Sequence, residues 1–179
     1  MTRDTKERIA AAFKAQASEK CIDKITTDDI ICSAQVSRQT FYKHFADKYE
    51  LAFLIYRQEV YAPANDYFRE SGDFTGMLQM VLDALSRDVA FYKNIFRRSY
   101  VPSPFMAKLH ELCLSALAAS VGIRNLTPSL KAVIDVWTSG TDALLAEWIT
   151  GGAREKTQQI VDIIERSIPA ELKVLFVKD

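Results

Sequence analysis

The chain has 179 residues, of which 49% are hydrophobic and 26% charged, with six glycines and five prolines. That is the composition of an ordinary globular protein with few helix breakers, and 23 basic residues balanced by 23 acidic ones exclude a surface that is basic all over while leaving room for a local basic patch. Cys21, Cys32 and Cys113 are far apart and odd in number, so no disulfide framework is readable. The N-terminal MTRDTKERIAAAFKAQ lacks the apolar run of a secretory leader, and no window holds 18 uninterrupted apolar residues. A reduced, cytoplasmic protein without a membrane span is the expectation.

Almost every segment places its apolar residues at helical rather than alternating spacing, which predicts an all-α fold of nine or ten helices. The first helix covers about residues 3–19, with Ile9, Phe13 and Ala17 four apart. A second starts at Thr26 or Thr27, both good N-caps, with Asp28 and Asp29 in the first turn where the helix dipole favours acids; it ends near residues 32–33. A third, short helix runs from after Ser37 to near His44. A fourth opens after Asp47, carries Leu51, Phe53, Leu54 and Ile55, and is expected to end or kink at Pro63. After Gly72 come a stripe of Met77, Leu78, Val81, Leu82 and Leu85 and another of Val89, Tyr92, Ile95 and Phe96. The VPSPF break precedes a helix from about Phe105 to Gly122. Thr127 followed by Pro128 starts the next, which carries Trp137 and Trp148 and stops at Gly151 and Gly152. A last long helix holds Ile160, Ile163, Ile164 and Ile168 before Pro169. The tail KVLFV has strand-like residues but no partner strand. No internal repeat or low-complexity tract is present.

Residues 25–51, ITTDDIICSAQVSRQTFYKHFADKYEL, carry the most information. Two short helices joined by a tight turn at Ala34, Gln35 and Val36 follow helix-turn-helix grammar. Ile30, Ala34, Val36, Phe41 and Phe45 are the candidate core of the pair, with Ala34 small because the helices meet there. The outer face of the third helix presents Ser37, Arg38, Gln39, Thr40, Tyr42, Lys43 and His44, side chains with the reach for phosphates and base edges in a major groove. Arg38 suits guanine, Gln39 adenine, and Tyr42 and Lys43 phosphate. Lys48 is a further phosphate candidate, and Thr26, Thr27 and Gln35 complete the candidate DNA-binding set. Residues 36–48 have a net charge of +2. On residue types alone, an amphipathic helical hairpin with a solvated polar face fits as well.

Spacing separates the two readings. Thr26, Asp29, Ile30, Ala34, Val36, Ser37, Thr40, Phe41, Tyr42, Phe45, Lys48 and Leu51 fall on the pattern of the TetR family of regulators, which this segment resembles over about residues 7–55. There are two departures. Gln35 stands where the family has a turn glycine, at a cost on the order of 1 kcal/mol if the turn keeps a left-handed residue. Tyr49 stands where an acid is usual. Further along, DVAFYKNIF (88–96) and EWITGG (147–152), together with the RQTFY of the third helix, are more thinly similar to the dihydroxyacetone kinase operon activator-like subgroup.

The resemblance implies a helix-turn-helix domain at 1–48, a fourth helix (about 47–62) as linker, and a helical effector-binding and dimerisation domain at 49–179. Apolar stripes on the helices at 128–150 and 153–167 point to a homodimer through Val133, Trp137, Leu144, Trp148, Ile160 and Ile164, unless the tryptophans are buried in their own subunit. Phe53, Tyr56, Phe91, Tyr92, Phe96, Tyr100 and Phe105 either line a pocket for an apolar effector or fill the core. His110 is expected at the surface. HExxH, GxSxG, Walker and GxGxxG motifs are missing from the sequence, and the adjacent Asp28 and Asp29 diverge on a helix, so neither catalysis nor a metal or other cofactor is expected. The function expected is sequence-specific binding of an inverted-repeat DNA, repressing rather than activating, modulated by a small ligand or a partner protein. A helical adaptor and an all-helical enzyme are the alternatives.

Overall fold

The computed structural model describes residues 2–97, 103–122, 126–174 and 176, and no strand occurs among them. The helices are α1 (Thr2–Glu19), α2 (Thr27–Ala34), α3 (Arg38–His44), α4 (Lys48–Tyr56), α5 (Ala62–Ser71), α6 (Phe74–Arg87), α7 (Val89–Phe96), α8 (Pro104–Val121), α9 (Pro128–Thr150), α10 (Thr157–Arg166) and α11 (Ala170–Lys173). Side-chain caps fix most N-termini. Ser37 accepts from the Thr40 amide, Asp47 from Glu50, Asp73 from Gly76, Asp88 from Phe91 and Thr127 from Leu130. Each satisfies an amide that the first helical turn leaves unpaired.

Two boundaries differ from the sequence expectation. Pro63 does not end the fourth helix: α4 continues through a π turn, Arg57–Tyr61, straight into α5, where Pro63 is the second residue. Proline lacks an amide and crowds the carbonyl four residues back. The wider turn ahead of it, closed by the Ala62 amide on the Arg57 carbonyl, absorbs that misfit. The last long helix is shorter than its apolar spacing suggests, ten residues in α10. The chain ahead of it turns through Gly152 and Ala153, both at positive φ (95° and 51°).

The core begins in the N-terminal helices and continues unbroken into the body. Ile9, Phe13 and Ala17 of α1 are fully buried in the same cluster as Phe91 and Ile95 of α7, Leu51 of α4 and Ile164 of α10. The Phe13 and Phe91 rings meet edge to face at 6.0 Å. Helix α9 packs against α7 and α8, while α10 lies on α6. Among the described residues, no helix is long and apolar enough to cross a membrane.

Candidate nucleic-acid interface

Helix α2 starts in a full capping box. The Thr26 hydroxyl accepts from the Asp29 amide at 3.1 Å, and the Asp29 carboxylate accepts from the Thr26 amide at 3.0 Å. Those bonds hold the Asp29 carboxyl below the usual carboxylate range. The helix ends at Gln35, whose φ of 52° and ψ of 49° are left-handed. The Val36 amide reaches the Ile31 carbonyl at 3.2 Å and the Gln35 amide that of Cys32 at 3.1 Å, the two bonds of a Schellman ending. Arg8 of α1 clamps this turn, its Nη2 donating to the carbonyls of Ala34 at 2.7 Å and Gln35 at 3.1 Å. The turn therefore keeps the geometry that glycine normally serves, and Gln35 carries the strain with an exposed side chain.

Beyond the turn, Phe41 and Phe45 are buried and pack ring against ring at 5.7 Å, while Ile30 and Ala34 are buried beneath them in the same core cluster. This anchors one face of α3 and turns the other outward. Arg38, Gln39, Tyr42 and Lys43 are exposed, Tyr42 by 51%. Gln39, Thr40, Tyr42 and Lys43 line a shallow, open depression of about 580 Å³. Half of the large Tyr42 ring lies in solvent, braced edge to face on Phe41 at 5.4 Å. The face thus offers an amide, a phenol, an ammonium and a guanidinium, a mixture able to donate to phosphates and to pair with base edges.

The remaining expected contacts have structural partners of their own. Ser37 and Thr40 share a hydroxyl–hydroxyl bond of 2.8 Å inside the α3 cap. Thr26 belongs to the α2 capping box, Thr27 is half-buried as the first α2 residue, and His44 is half-buried beside Phe45. The Lys48 ammonium turns inward, donating to the carbonyls of Ile25 at 2.7 Å and Asp23 at 3.3 Å, and burial lowers its pKa. Beside it, the Tyr49 hydroxyl donates to Asp23 Oδ1 at 2.8 Å; burial, then that bond, pushes its pKa up to about 12. Lys48 and Tyr49 together staple α4 to the 3-10 turn Ile22–Lys24. Arg38 also has a partner that the sequence does not disclose, Asp28, with Nη2 donating to both carboxylate oxygens at 2.6 Å. As sequence, Asp28 and Asp29 are equivalent dipole partners in one helix turn. Only the fold shows that Asp29 caps while Asp28 crosses to α3.

In the body, Tyr56, Phe91, Tyr92, Phe96 and Phe105 are all buried. Their rings stack edge to face, with Phe96 and Phe105 at 5.3 Å and Phe91 and Tyr92 at 4.9 Å. They pack as core against one another. Phe53 is half-buried under the Lys108 ammonium, and Tyr100 lies outside the described residues.

The residues expected at a dimer face divide. Trp148, Ile160 and Ile164 are buried within the subunit, at 4%, 3% and 1% exposure, and Trp148 Nε1 is spent on the Glu155 carbonyl at 3.1 Å. Buried in this way, they offer little area to a second chain. Val133, Trp137 and Leu144 stay half-buried, and the large apolar side chains exposed on α9 and α10 are Val136 (73%) and Ile163 (42%).

His110 is not a plain surface residue either. It is half-buried between α8 and α9, with Nδ1 at 2.8 Å from Asp142 and Nε2 at 2.9 Å from Asp135. Burial works to lower its pKa, but the bonds to the two carboxylates prevail and raise it. No group of three or more metal-ligating side chains gathers among the described residues.

A capped α2–turn–α3 pair carried on a helical body defines a helix-turn-helix protein. Residues 9–55 match the family model described as bacterial regulatory proteins, tetR family. It is 32% identical over 95 residues to the HTH-type dhaKLM operon transcriptional activator DhaS of Lactococcus lactis subsp. lactis (strain IL1403), a match covering 51% of this chain and 49% of that one. The chain thus spans about half the length of that curated relative, in line with the thinner subgroup resemblance of the sequence. Two solved structures share the fold over nearly the whole chain. One, described as dihydroxyacetone kinase operon activator DhaS, superposes with a TM-score of 0.60 at 22% identity, covering 97% of this chain and 98% of that one. The other, a TetR transcriptional regulator from Rhodococcus sp. RHA1, superposes with a TM-score of 0.62 at 17% identity, covering 98% and 97%.

Proposed function

We propose that this chain is a sequence-specific, cytoplasmic DNA-binding regulator of transcription that acts as a homodimer on an inverted-repeat operator. Residues 1–48 form the reading head, α4 leads into the body, and residues 49–179 carry dimerisation and the response to a ligand or partner. Each head lays α3 in a major groove, with the two heads about one helical turn apart. The observation that carries the reading is the outward face of α3, where Arg38, Gln39, Tyr42 and Lys43 stay exposed while Phe41 and Phe45 hold the helix from behind. The match of residues 9–55 to the tetR family model supports it. The dimer face we assign to Val136, Ile163 and the half-buried Trp137 and Val133 of α9 and α10.

Fluorescence anisotropy with the DNA upstream of the chain's own gene tests the proposal. Salt-sensitive binding that saturates at two chains per site is the expected result. A folded protein that binds no such fragment at low salt overturns it. Repression is the direction expected from the sequence. The similar Lactococcus lactis protein is named an operon activator, and that observation favours a second reading in which the bound dimer promotes transcription. A promoter–reporter fusion decides by the sign of its response to deletion of the protein.

A further inference from the structure

We infer that Asp28 is a positioning residue for DNA selectivity, holding the Arg38 guanidinium for base edges and keeping it from phosphates. The inference rests on α3 being the element that enters the groove. Asp28 is the second residue of α2 and Arg38 the first of α3, ten positions apart and joined across the turn. Both oxygens of the carboxylate sit 2.6 Å from one nitrogen, Nη2. Nη1 and Nε, with three N–H groups between them, are not used by this pair.

The pair has little to do for the fold. Both side chains are 66% exposed, and an exposed ion pair adds little to stability. Helix α2 is capped by Thr26 and Asp29, and α3 by Ser37 and Thr40, so neither end needs Asp28. What the carboxylate does is restrict a long, flexible cation on the outward side of the head. A free arginine in that place would swing to the nearest phosphate, and phosphates are present on every sequence. An arginine fixed through Nη2 keeps the Nη1 and Nε donors in defined directions, each able to make a single bond to a base-edge acceptor such as guanine O6 or N7. The carboxylate's own charge further opposes phosphates close to it. Both effects penalise random DNA more than the right site, so Asp28 trades total affinity for discrimination.

The test uses the full-length chain and a random-sequence duplex pool. Wild type selects an enriched duplex, and anisotropy then measures its affinity and that of a scrambled duplex over a range of salt. For Asp28→Ala and Asp28→Asn, affinity for the scrambled duplex is expected to rise and the ratio of selected to scrambled to fall by about 5- to 10-fold, the lower part of what one arginine–guanine contact discriminates. Asp28→Glu, which restores the carboxylate, recovers most of the ratio. In an Arg38→Ala background the ratio is already low, and Asp28→Ala leaves it unchanged. Equal gains on both duplexes, or the same loss of ratio without Arg38, overturn the inference, because removal of a charge alone then explains the data. A wild type that enriches no sequence and binds neither duplex removes the proposed function itself, and with it this inference.

Discussion

Gln35 holds the turn of the reading head in a conformation that suits glycine, and Gln35→Gly isolates that cost. With φ at 52° and ψ at 49°, an L-residue meets a penalty of about 1–2 kcal/mol that glycine escapes. Glycine gives back roughly 0.4–1 kcal/mol through the greater freedom of its unfolded chain. The turn's bonds come from Arg8 and from the amides of Gln35 and Val36, all to backbone carbonyls, so trimming the exposed side chain leaves every one of them in place. The net expectation is a gain of about 0.5–1 kcal/mol, which for a domain of this size raises the thermal midpoint by about 1–4 °C. Circular dichroism melts at one fixed protein concentration measure it, since a dimer's midpoint moves with concentration. Gln35→Ala serves as the control: it keeps the left-handed strain and is expected to gain nothing. A midpoint for Gln35→Gly at or below wild type refutes the reasoning. Anisotropy on the same variant reads the other candidate role of Gln35: if its amide touches DNA, glycine weakens binding even as the fold becomes more stable.

His110 has a folded pKa above its ordinary value, so its contribution is fully present below about pH 6.5, the unfolded value, and is lost as pH rises through the folded one. The midpoint advantage of wild type over His110→Gln is therefore expected to shrink as pH rises beyond about 6.5; an advantage constant with pH shows that the ring is not paired as an imidazolium. Tyr49→Phe removes the bond to Asp23 and is expected to cost about 0.5–1.5 kcal/mol in urea unfolding; no loss means that the staple does not hold the head. Val136→Glu, on an exposed position, is expected to release folded monomers in sedimentation velocity, and a persistent dimer moves the interface off this face. Ile164→Ala, at 1% exposure, is expected to cost about 2–5 kcal/mol; a loss confined to dimer affinity would mean that Ile164 faces the partner.

Local chemistry made much of the fold legible from the sequence. Thr26, Ser37, Asp47 and Thr127 are caps that announce a helix start by residue type, and each caps in the structure. The helix-turn-helix was readable because its core, turn and polar face lie within one stretch of 27 residues. What stayed hidden was set by tertiary packing. Periodicity puts Trp148 on an apolar side of α9 and Ile160 and Ile164 on an apolar side of α10 but does not say whether the same chain or another covers them. The partners of His110 lie 25 and 32 positions away on α9, and Asp28 meets Arg38 only because the turn folds α3 back past α2. The π turn has no residue signature apart from Pro63 just beyond it.

The same packing bears on how a signal in the body would reach the head. The sequence suggests one route, α4 as linker. The structure has two. Phe13 of α1 sits on Phe91 of α7, and Asn94 of α7 donates to the Ala17 carbonyl at 2.8 Å. Lys14 joins both routes, with its ammonium 2.8 Å from Glu59 in the π turn and 3.2 Å from Asp88, the residue that caps α7. Burial works against its charge, and the two carboxylates still raise its pKa. Glu59 in turn accepts from the buried Tyr92 hydroxyl at 3.3 Å. A shift of α7 in the body therefore drags α1, and α1 clamps the α2–α3 turn through Arg8. In the proposed dimer, the position of α7 would then bear on head spacing together with the tilt of α4, and an effector or partner that disturbs the packing of Phe91, Tyr92 and Phe96 would change it.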